Sequence, residues 1–167
     1  IGKPLTLSRS DRIRFNNHDR VGARLATAIL KRLKASNNLI EDVEACIANH
    51  MNFINVTKMR LSTLKKFLSR STILDELELH RIDCLASHGD LRNYDFVKEK
   101  LSQLPVEHIK PTPLITGKDL IALGFIPGPQ FGIILNELYD LQLEERISNK
   151  EEALDIIRDR WTNKTEP

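Results

Sequence analysis

Apolar residues recur every three or four positions along almost the whole chain, and no segment alternates convincingly between apolar and polar residues. This spacing is typical of amphipathic α-helices and argues against β-sheets. Residues that cap helices precede many of the apolar stretches, among them Asn17, Ser36 and Thr116. The sequence therefore predicts an all-α fold, with helices beginning near residues 17, 36, 58, 72, 90, 116, 129 and 148.

A change in composition divides the chain. Residues 105–115, PVEHIKPTPLI, hold three prolines within nine positions, and proline interrupts helices because it lacks an N–H donor and clashes with the preceding turn. We interpret this segment as a Pro-rich linker between a helical domain at residues 1–104 and a second helical unit at residues 116–167.

Several short signals define the helices of the second unit. Thr116 with Asp119, and Ser148 three residues before Glu151, have the spacing of capping boxes. Gly124 suits the position just after a helix, and Pro129 suits a first helical turn.

The composition is that of an ordinary globular protein: 167 residues, 41% apolar and 29% charged. Cys46 and Cys84 fall inside helical patterns, which favours buried, reduced thiols and a cytoplasmic location. No apolar run reaches membrane-spanning length, and the start lacks the apolar core of a signal peptide. Because the first residue is not Met, we expect a fragment of a longer protein.

Positive charge is concentrated early in the chain. The first 70 residues hold 14 lysines and arginines against five acidic residues, and no acidic residue lies between Glu44 and Asp75. We expect the basic residues of this stretch to lie opposite a stripe of Leu61, Leu64 and Leu68. A surface of one sign attracts phosphate backbones, although a solvated helix face explains the run equally well. The basic residues concerned are Lys58, Arg60, Lys65, Lys66 and Arg70.

Three residues stand out as candidate metal ligands. His18, His50 and Asp83 are each predicted to lie on the apolar side of a helix, and His and carboxylate ligands suit a hydrolytic metal. An inward histidine or aspartate is more often a hydrogen-bonded core residue. No catalytic residues are predicted.

The segments IGKP, RIRFNNHDRVGARLA, ANHM and RIDCLASHG resemble the later part of an HD-type helical domain. In that family a His-Asp dyad commonly stands directly before IGKP. The resemblance implies that His18, His50 and Asp83 form only part of a metal site, and that a divalent metal requires the upstream dyad.

The second unit resembles the C-terminal RNA-binding region of bacterial tRNA nucleotidyltransferases of the CCA-adding and poly(A) polymerase family. The matching segments are TGKDLIALG, PGPQFG and the closing Ser-x-x-Glu-Glu-Ala. This resemblance implies that tRNA or another structured RNA is a partner, along with an upstream catalytic domain that uses Mg²⁺. The chain itself is then expected to hold the tRNA body, to need no cofactor and to transfer no nucleotide alone.

Under the same resemblance, the glycine-rich turns expose backbone N–H groups to RNA phosphates, because helix N-termini favour anions. An equal alternative is that these glycines only let helices pack closely. The candidate RNA-binding residues are Lys58, Arg60, Lys65, Lys66, Thr116, Gly117, Lys118, Gly128 and Gln130.

Two other functions stay open at this stage. One is a metal-dependent HD phosphohydrolase, complete only with the upstream dyad. The other is a helical protein-interaction or dimerisation module. The sequence does not distinguish addition of CCA, of A alone or of poly(A), and it leaves the oligomeric state open.

Overall fold

A computed structural model describes residues 3–9 and 13–162. Helices make up nearly all of its regular structure, and the all-α prediction is confirmed. The α-helices of the described residues are α1 (His18–Arg32), α2 (Asn37–Asn49), α3 (Leu61–Leu68), α4 (Ile73–Ser87), α5 (Arg92–Gln103), α6 (Val106–Ile109), α7 (Gly117–Ala122), α8 (Pro129–Leu143) and α9 (Lys150–Ile157). Helices of 3-10 type cover Lys3–Thr6 and His50–Lys58, and a π-helical turn covers Arg158–Thr162.

A small β-hairpin precedes α1. Strands β1 (Leu7–Arg9) and β2 (Ile13–Phe15) are antiparallel, with Leu7 opposite Phe15. The sequence did not predict them because three residues are too few to show an alternating pattern. Ile1 and Gly2 of the opening IGKP, and Arg12 of the second HD-like segment, lie outside the described residues.

The backbone contacts divide the chain into two compact units. Unit 1 comprises Ile1–Met59 and Arg70–Gln103, and unit 2 comprises Arg60–Ser69 and Leu104–Pro167. The contacts change unit between residues 103 and 104, and the predicted division into 1–104, 105–115 and 116–167 stays a prediction. The placement of α3 in unit 2 was not predicted, and it makes this unit discontinuous in sequence.

Unit 1 is built around the α1–α2 pair, the long 3-10 helix, α4 and α5. Its buried apolar side chains include Ile40, Phe53, Leu77 and Val97. The carboxylate of Glu76 is fully buried among them. It accepts hydrogen bonds from Thr72 and Asn49 and is paired with Arg70, so its burial is compensated.

Unit 2 closes around the apolar faces of α7, α8 and α9. Its core comprises Ile115, Leu120, Ile134, Leu138, Leu141, Ile147, Ala153 and Ile157. Residues 105–115 do not behave as a free linker. They include α6, whose Ile109 is buried, and the Tyr139 hydroxyl donates to the Pro111 carbonyl at 3.2 Å. Pro105 is compatible with α6 because it lies just before the first helical turn, where the helix needs no backbone N–H donor.

The caps of unit 2 are largely as predicted. Pro129 begins α8, and Gly124 follows α7 with a φ of +89°, in the left-handed region that glycine adopts most readily. The predicted box of Ser148 with Glu151 is wrong by one residue. Asn149 is the N-cap of α9, and its side chain accepts from the Glu152 N–H at 2.9 Å.

Candidate nucleic-acid interface

The basic residues of α3 are bound to acidic residues at the C-terminal end of α8. The Lys65 side chain is only 3% exposed, and its ammonium donates to Glu145 Oε1 at 2.9 Å. Lys65 therefore does not lie on the exposed face that the sequence predicted. The bond from Lys65 holds the pKa of the Glu145 carboxyl below its usual value.

Two further pairs extend this contact. The Lys66 ammonium lies 2.7 Å from Asp140 Oδ1, and the guanidinium of the exposed Arg60 lies 4.0 Å from Glu144 Oε1. We name these three pairs, Lys65–Glu145, Lys66–Asp140 and Arg60–Glu144, the α3 clasp. The clasp neutralises the basic run locally, so the positive charge visible in the sequence is mostly absent from this surface.

Two of the predicted cations stay outside such pairs. Lys58 ends the long 3-10 helix of unit 1, and Lys118 lies in the first turn of α7; both are exposed. Within the described part of the chain, neither forms an ion pair. These are the candidate residues best suited to attract a polyanion over distance.

The start of α7 is already occupied by a carboxylate. Asp119 Oδ2 accepts from the Thr116 N–H at 2.8 Å and from the Thr116 hydroxyl at 2.6 Å. Asp119 is also paired with Lys150 of α9. Lys150 first, and then Thr116, hold the pKa of Asp119 well below its usual range. The predicted capping box is confirmed, and an RNA phosphate would compete there with the protein's own carboxylate.

The segment of residues 124–132, which we call the glycine turn, comprises the connection from α7 to α8 and the first turn of α8, and it is largely exposed. A Cβ added at Gly132 would meet nothing within 4 Å, and one at Gly128 would meet only the Ile126 carbonyl, at 3.9 Å. At the start of α7, a Cβ added at Gly117 would make an ordinary contact of 3.7 Å with the Phe131 ring. Close helix packing therefore does not require glycine at any of these positions.

The N-terminus of α8 opens on the same turn. Pro129 has no N–H, and the Phe131 N–H donates to the Gly128 carbonyl at 3.0 Å. The Gln130 N–H has no acceptor among the described residues, and the Gln130 side chain is exposed. The end of this 15-residue helix thus leaves one backbone donor where the helix dipole favours negative charge.

Exposed isoleucines lie beside these backbone groups. Ile126 is 87% exposed, and Ile121 and Ile133 are also exposed. Sequence reasoning missed them, since an isoleucine next to Phe125 in an apolar segment suggests a core position. Sequence analysis also did not identify the acidic residues of the α3 clasp, although the cluster of acidic residues at the end of α8 could have indicated partners for the basic run.

The structure brings together two of the three predicted metal ligands. His18 Nε2 and His50 Nε2 lie 3.1 Å apart. His50 Nδ1 is 2.6 Å from the Ile47 carbonyl, which can only accept, so neutral His50 carries its proton on Nδ1. Its Nε2 then accepts from His18. This hydrogen bond needs no metal, and the metal role of His18 and His50 stays a prediction.

Asp83 lies apart from this pair. It is partly exposed and accepts from the Lys3 ammonium at 3.2 Å. The buried face of α4 instead presents His80 and Cys84, and burial lowers the pKa of His80. The described residues contain no group of three His, Cys, Asp or Glu that could hold a metal ion. These residues do not fit a complete metal site, and we derive no chemistry from one.

Comparison with known proteins settles the family. The sequence matches the family described as tRNA nucleotidyltransferase domain 2 over residues 20–157. This chain belongs to that family. It is 33% identical to the CC-adding tRNA nucleotidyltransferase of Thermus thermophilus over 159 residues, covering 92% of the chain and 36% of that protein. It is 30% identical to the A-adding tRNA nucleotidyltransferase of Deinococcus radiodurans over 178 residues, covering 99% of the chain and 40% of that protein.

The chain therefore spans about two fifths of the length of these relatives. No solved structure gives a significant match. None of the helices in the described ranges is long and apolar enough to cross a membrane.

Proposed function

We propose that this chain holds the body of a tRNA so that its 3′ end reaches a nucleotidyltransferase active site located outside the chain. The family match supports this role, because the similar proteins are named as CC-adding and A-adding tRNA nucleotidyltransferases. The chain matches only part of each relative, and the location of the active site outside the chain is part of the proposal. Positioning alone contributes greatly to the rate of a group transfer.

The glycine turn carries the proposal. Glycine inside an exposed helix destabilises it by about 0.5–1 kcal/mol relative to alanine, and nothing packed against Gly132 calls for glycine there. Gly128 likewise has room for a side chain. Such glycines are explained if a ligand approaches the backbone closely. RNA is recognised largely through its shape, its phosphates and its 2′-hydroxyls, and all of these reward close backbone approach.

The cations divide into two roles under this proposal. Lys58 and Lys118 attract the RNA, because they are exposed and outside ion pairs. Arg60 and Lys66 act mainly in the α3 clasp. Lys65 is too buried to meet an RNA backbone at the surface. Thr116 positions α7 through Asp119, while Gly117, Gly128 and Gln130 border the proposed contact.

Gly128→Val tests the proposal. The backbone at Gly128 is extended, with φ 178°, so valine is expected to fold normally while blocking close approach. Affinity for a tRNA transcript at fixed salt should fall at least tenfold. The matched control is Thr112→Val, which adds a valine at an exposed position of unit 2 away from the turn.

Equal tRNA affinities for Gly128→Val, Thr112→Val and the parent chain would reject the glycine turn as the contact. Circular dichroism spectra and melting temperatures of all three proteins establish that each is folded. Self-association that the parent shows and Gly128→Val loses, without any tRNA binding, would instead favour a protein-interaction module.

A further inference from the structure

Beside the Lys65–Glu145 pair, unit 2 contains a cavity of about 260 Å³. Lys65 and Glu145 line it together with Glu107, His108, Pro111 and Ile147. Its volume is close to the lower end of the range typical of small-molecule sites. Pro111 and Ile147 line the cavity together with the charged pair, so the cavity combines apolar and polar groups.

The Lys65 ammonium has unused hydrogen-bonding capacity inside this cavity. An ammonium group has three donors, and within the described residues Lys65 donates once, to Glu145 Oε1. A charge that is 97% removed from solvent is costly when its donors lack acceptors. The other donors therefore need acceptors, supplied by water or by a ligand within the cavity.

Glu145 is held in an unusual backbone conformation at the same place. Its φ is +59°, a left-handed conformation just after α8 where glycine is the usual residue. A non-glycine side chain is strained in this backbone conformation. The pairing with Lys65 offsets this strain. One carboxylate oxygen of Glu145 accepts from Lys65, and the other forms no hydrogen bond to the described residues.

The charges on the wall indicate a neutral ligand. Lys65 is already paired with Glu145, and the other ionisable residues of the lining are Glu107 and His108, so no unpaired lysine or arginine lines the cavity to attract a phosphate. The pair instead presents donors beside an acceptor. A nucleobase is planar and neutral and carries the complementary groups. Guanine matches best, because its O6 accepts from a lysine while its adjacent N1–H and N2–H₂ can both donate to one carboxylate.

We propose that this cavity binds a nucleobase, guanine in preference, with Lys65 donating to O6 and Glu145 accepting from N1–H and N2–H₂. The ring lies against Pro111 and Ile147. The inference rests on the proposed function only for the source of the base, which is either an unpaired base of the bound RNA or a free nucleotide.

The direct test is an NMR titration of the full chain with guanosine. Purine riboside is the matched ligand control, since it keeps the ring and the sugar but lacks O6, N1–H and the 2-amino group. Guanosine should shift the amide signals of His108 and Ser148 saturably, with an affinity at least tenfold higher than that of purine riboside. Lys65→Met and Glu145→Gln should each lower guanosine affinity at least tenfold, and Glu151→Gln, at an exposed glutamate outside the cavity, should not.

Three results would overturn the proposal: no shift with guanosine, which leaves a water-filled cavity; equal shifts with guanosine and purine riboside; or saturable shifts with inorganic phosphate alone. Glu145→Gln keeps the shape of the side chain and so tests the site even if Lys65→Met is unstable.

Titration with tRNA distinguishes the two sources of the base. Competition between tRNA and guanosine for the cavity signals identifies an RNA base, and tRNA binding without competition identifies a free nucleotide. Guanosine binding without tRNA binding would reject the proposed function and leave the cavity site standing.

Discussion

The α3 clasp and the glycine turn lie in the same unit, and the sequence marks both as RNA-binding, yet the structure gives them different environments. The clasp is charged, and its cations face the carboxylates of α8. The glycine turn is uncharged, and its glycines have open space around them. The comparison teaches that a basic run in a sequence indicates an anionic partner without saying whether the partner is RNA or the protein itself. Unneeded glycine at an exposed position points more directly to an external ligand.

Reversing the charge of the clasp should have the largest effect. Lys65→Glu places a carboxylate without a cationic partner at a position that is 3% exposed, beside Glu145, and burial of an unpaired charge is among the most destabilising single changes, with an expected loss of about 3 kcal/mol or more. Urea unfolding should show this loss, with weaker hydrogen-exchange protection in unit 2. Lys58→Glu is the exposed control and should change stability by less than about 0.5 kcal/mol. Equal stability of the two variants would mean that the clasp does not hold α3 in place.

Gly124 lies in the glycine turn, but we expect it to be needed for the backbone conformation and not for contact with RNA. Its φ of +89° is strained for any other residue, so Gly124→Ala should destabilise the protein by about 1–2 kcal/mol. The folded fraction should still bind tRNA as the parent does. A tRNA affinity reduced as strongly as in Gly128→Val, measured well below the melting temperature, would assign a contact role to Gly124 as well.

Gly132→Ala should separate stability from binding. A Cβ there meets nothing within 4 Å, and alanine favours helix formation, so thermal unfolding should show a gain of about 0.5–1 kcal/mol. Affinity for tRNA should fall. A loss of stability, or a gain without loss of tRNA affinity, would contradict the account of this residue.

The smallest effect is expected on the salt dependence of tRNA binding. Lys118→Gln should lower the slope of log affinity against log salt by roughly 0.7–0.9, the value for one lost phosphate contact. Lys66→Gln should leave the slope unchanged, because Lys66 is paired with Asp140. Equal slope changes in the two variants would mean that the clasp cations contact RNA phosphates.

Much of the fold was predictable because its signals are local. Helix periodicity, Gly124 after α7 and Pro129 at the start of α8 each depend on residues within one or two turns. The error at Ser148 is also local: Asn149 caps as well as serine does, and the adjacent Glu151 and Glu152 made two registers of the box equally plausible. The hairpin strands were too short to leave a pattern.

The site was less predictable because its partners are distant in sequence. Lys65 and Glu145 are 80 positions apart, and helical spacing cannot show that a lysine next to the Leu61–Leu64–Leu68 stripe will be buried by another helix. The inward placement predicted for Asp83 was wrong for a related reason, while its metal role stays a prediction. The buried face of α4 follows Ile73, Leu77, His80 and Cys84, which leaves Asp83 at its edge, paired with Lys3. By contrast, the inward placement of His50 was predicted correctly.

The most direct measurement compares tRNA binding by Gly128→Val with binding by the double variant Arg60→Gln, Lys66→Gln at one salt concentration. We predict that Gly128→Val weakens tRNA binding at least tenfold. The double variant should bind within about twofold of the parent, because in the parent Arg60 and Lys66 already face carboxylates of the protein. A double variant that loses tenfold while Gly128→Val binds normally would contradict the account and return the RNA contact to the basic run.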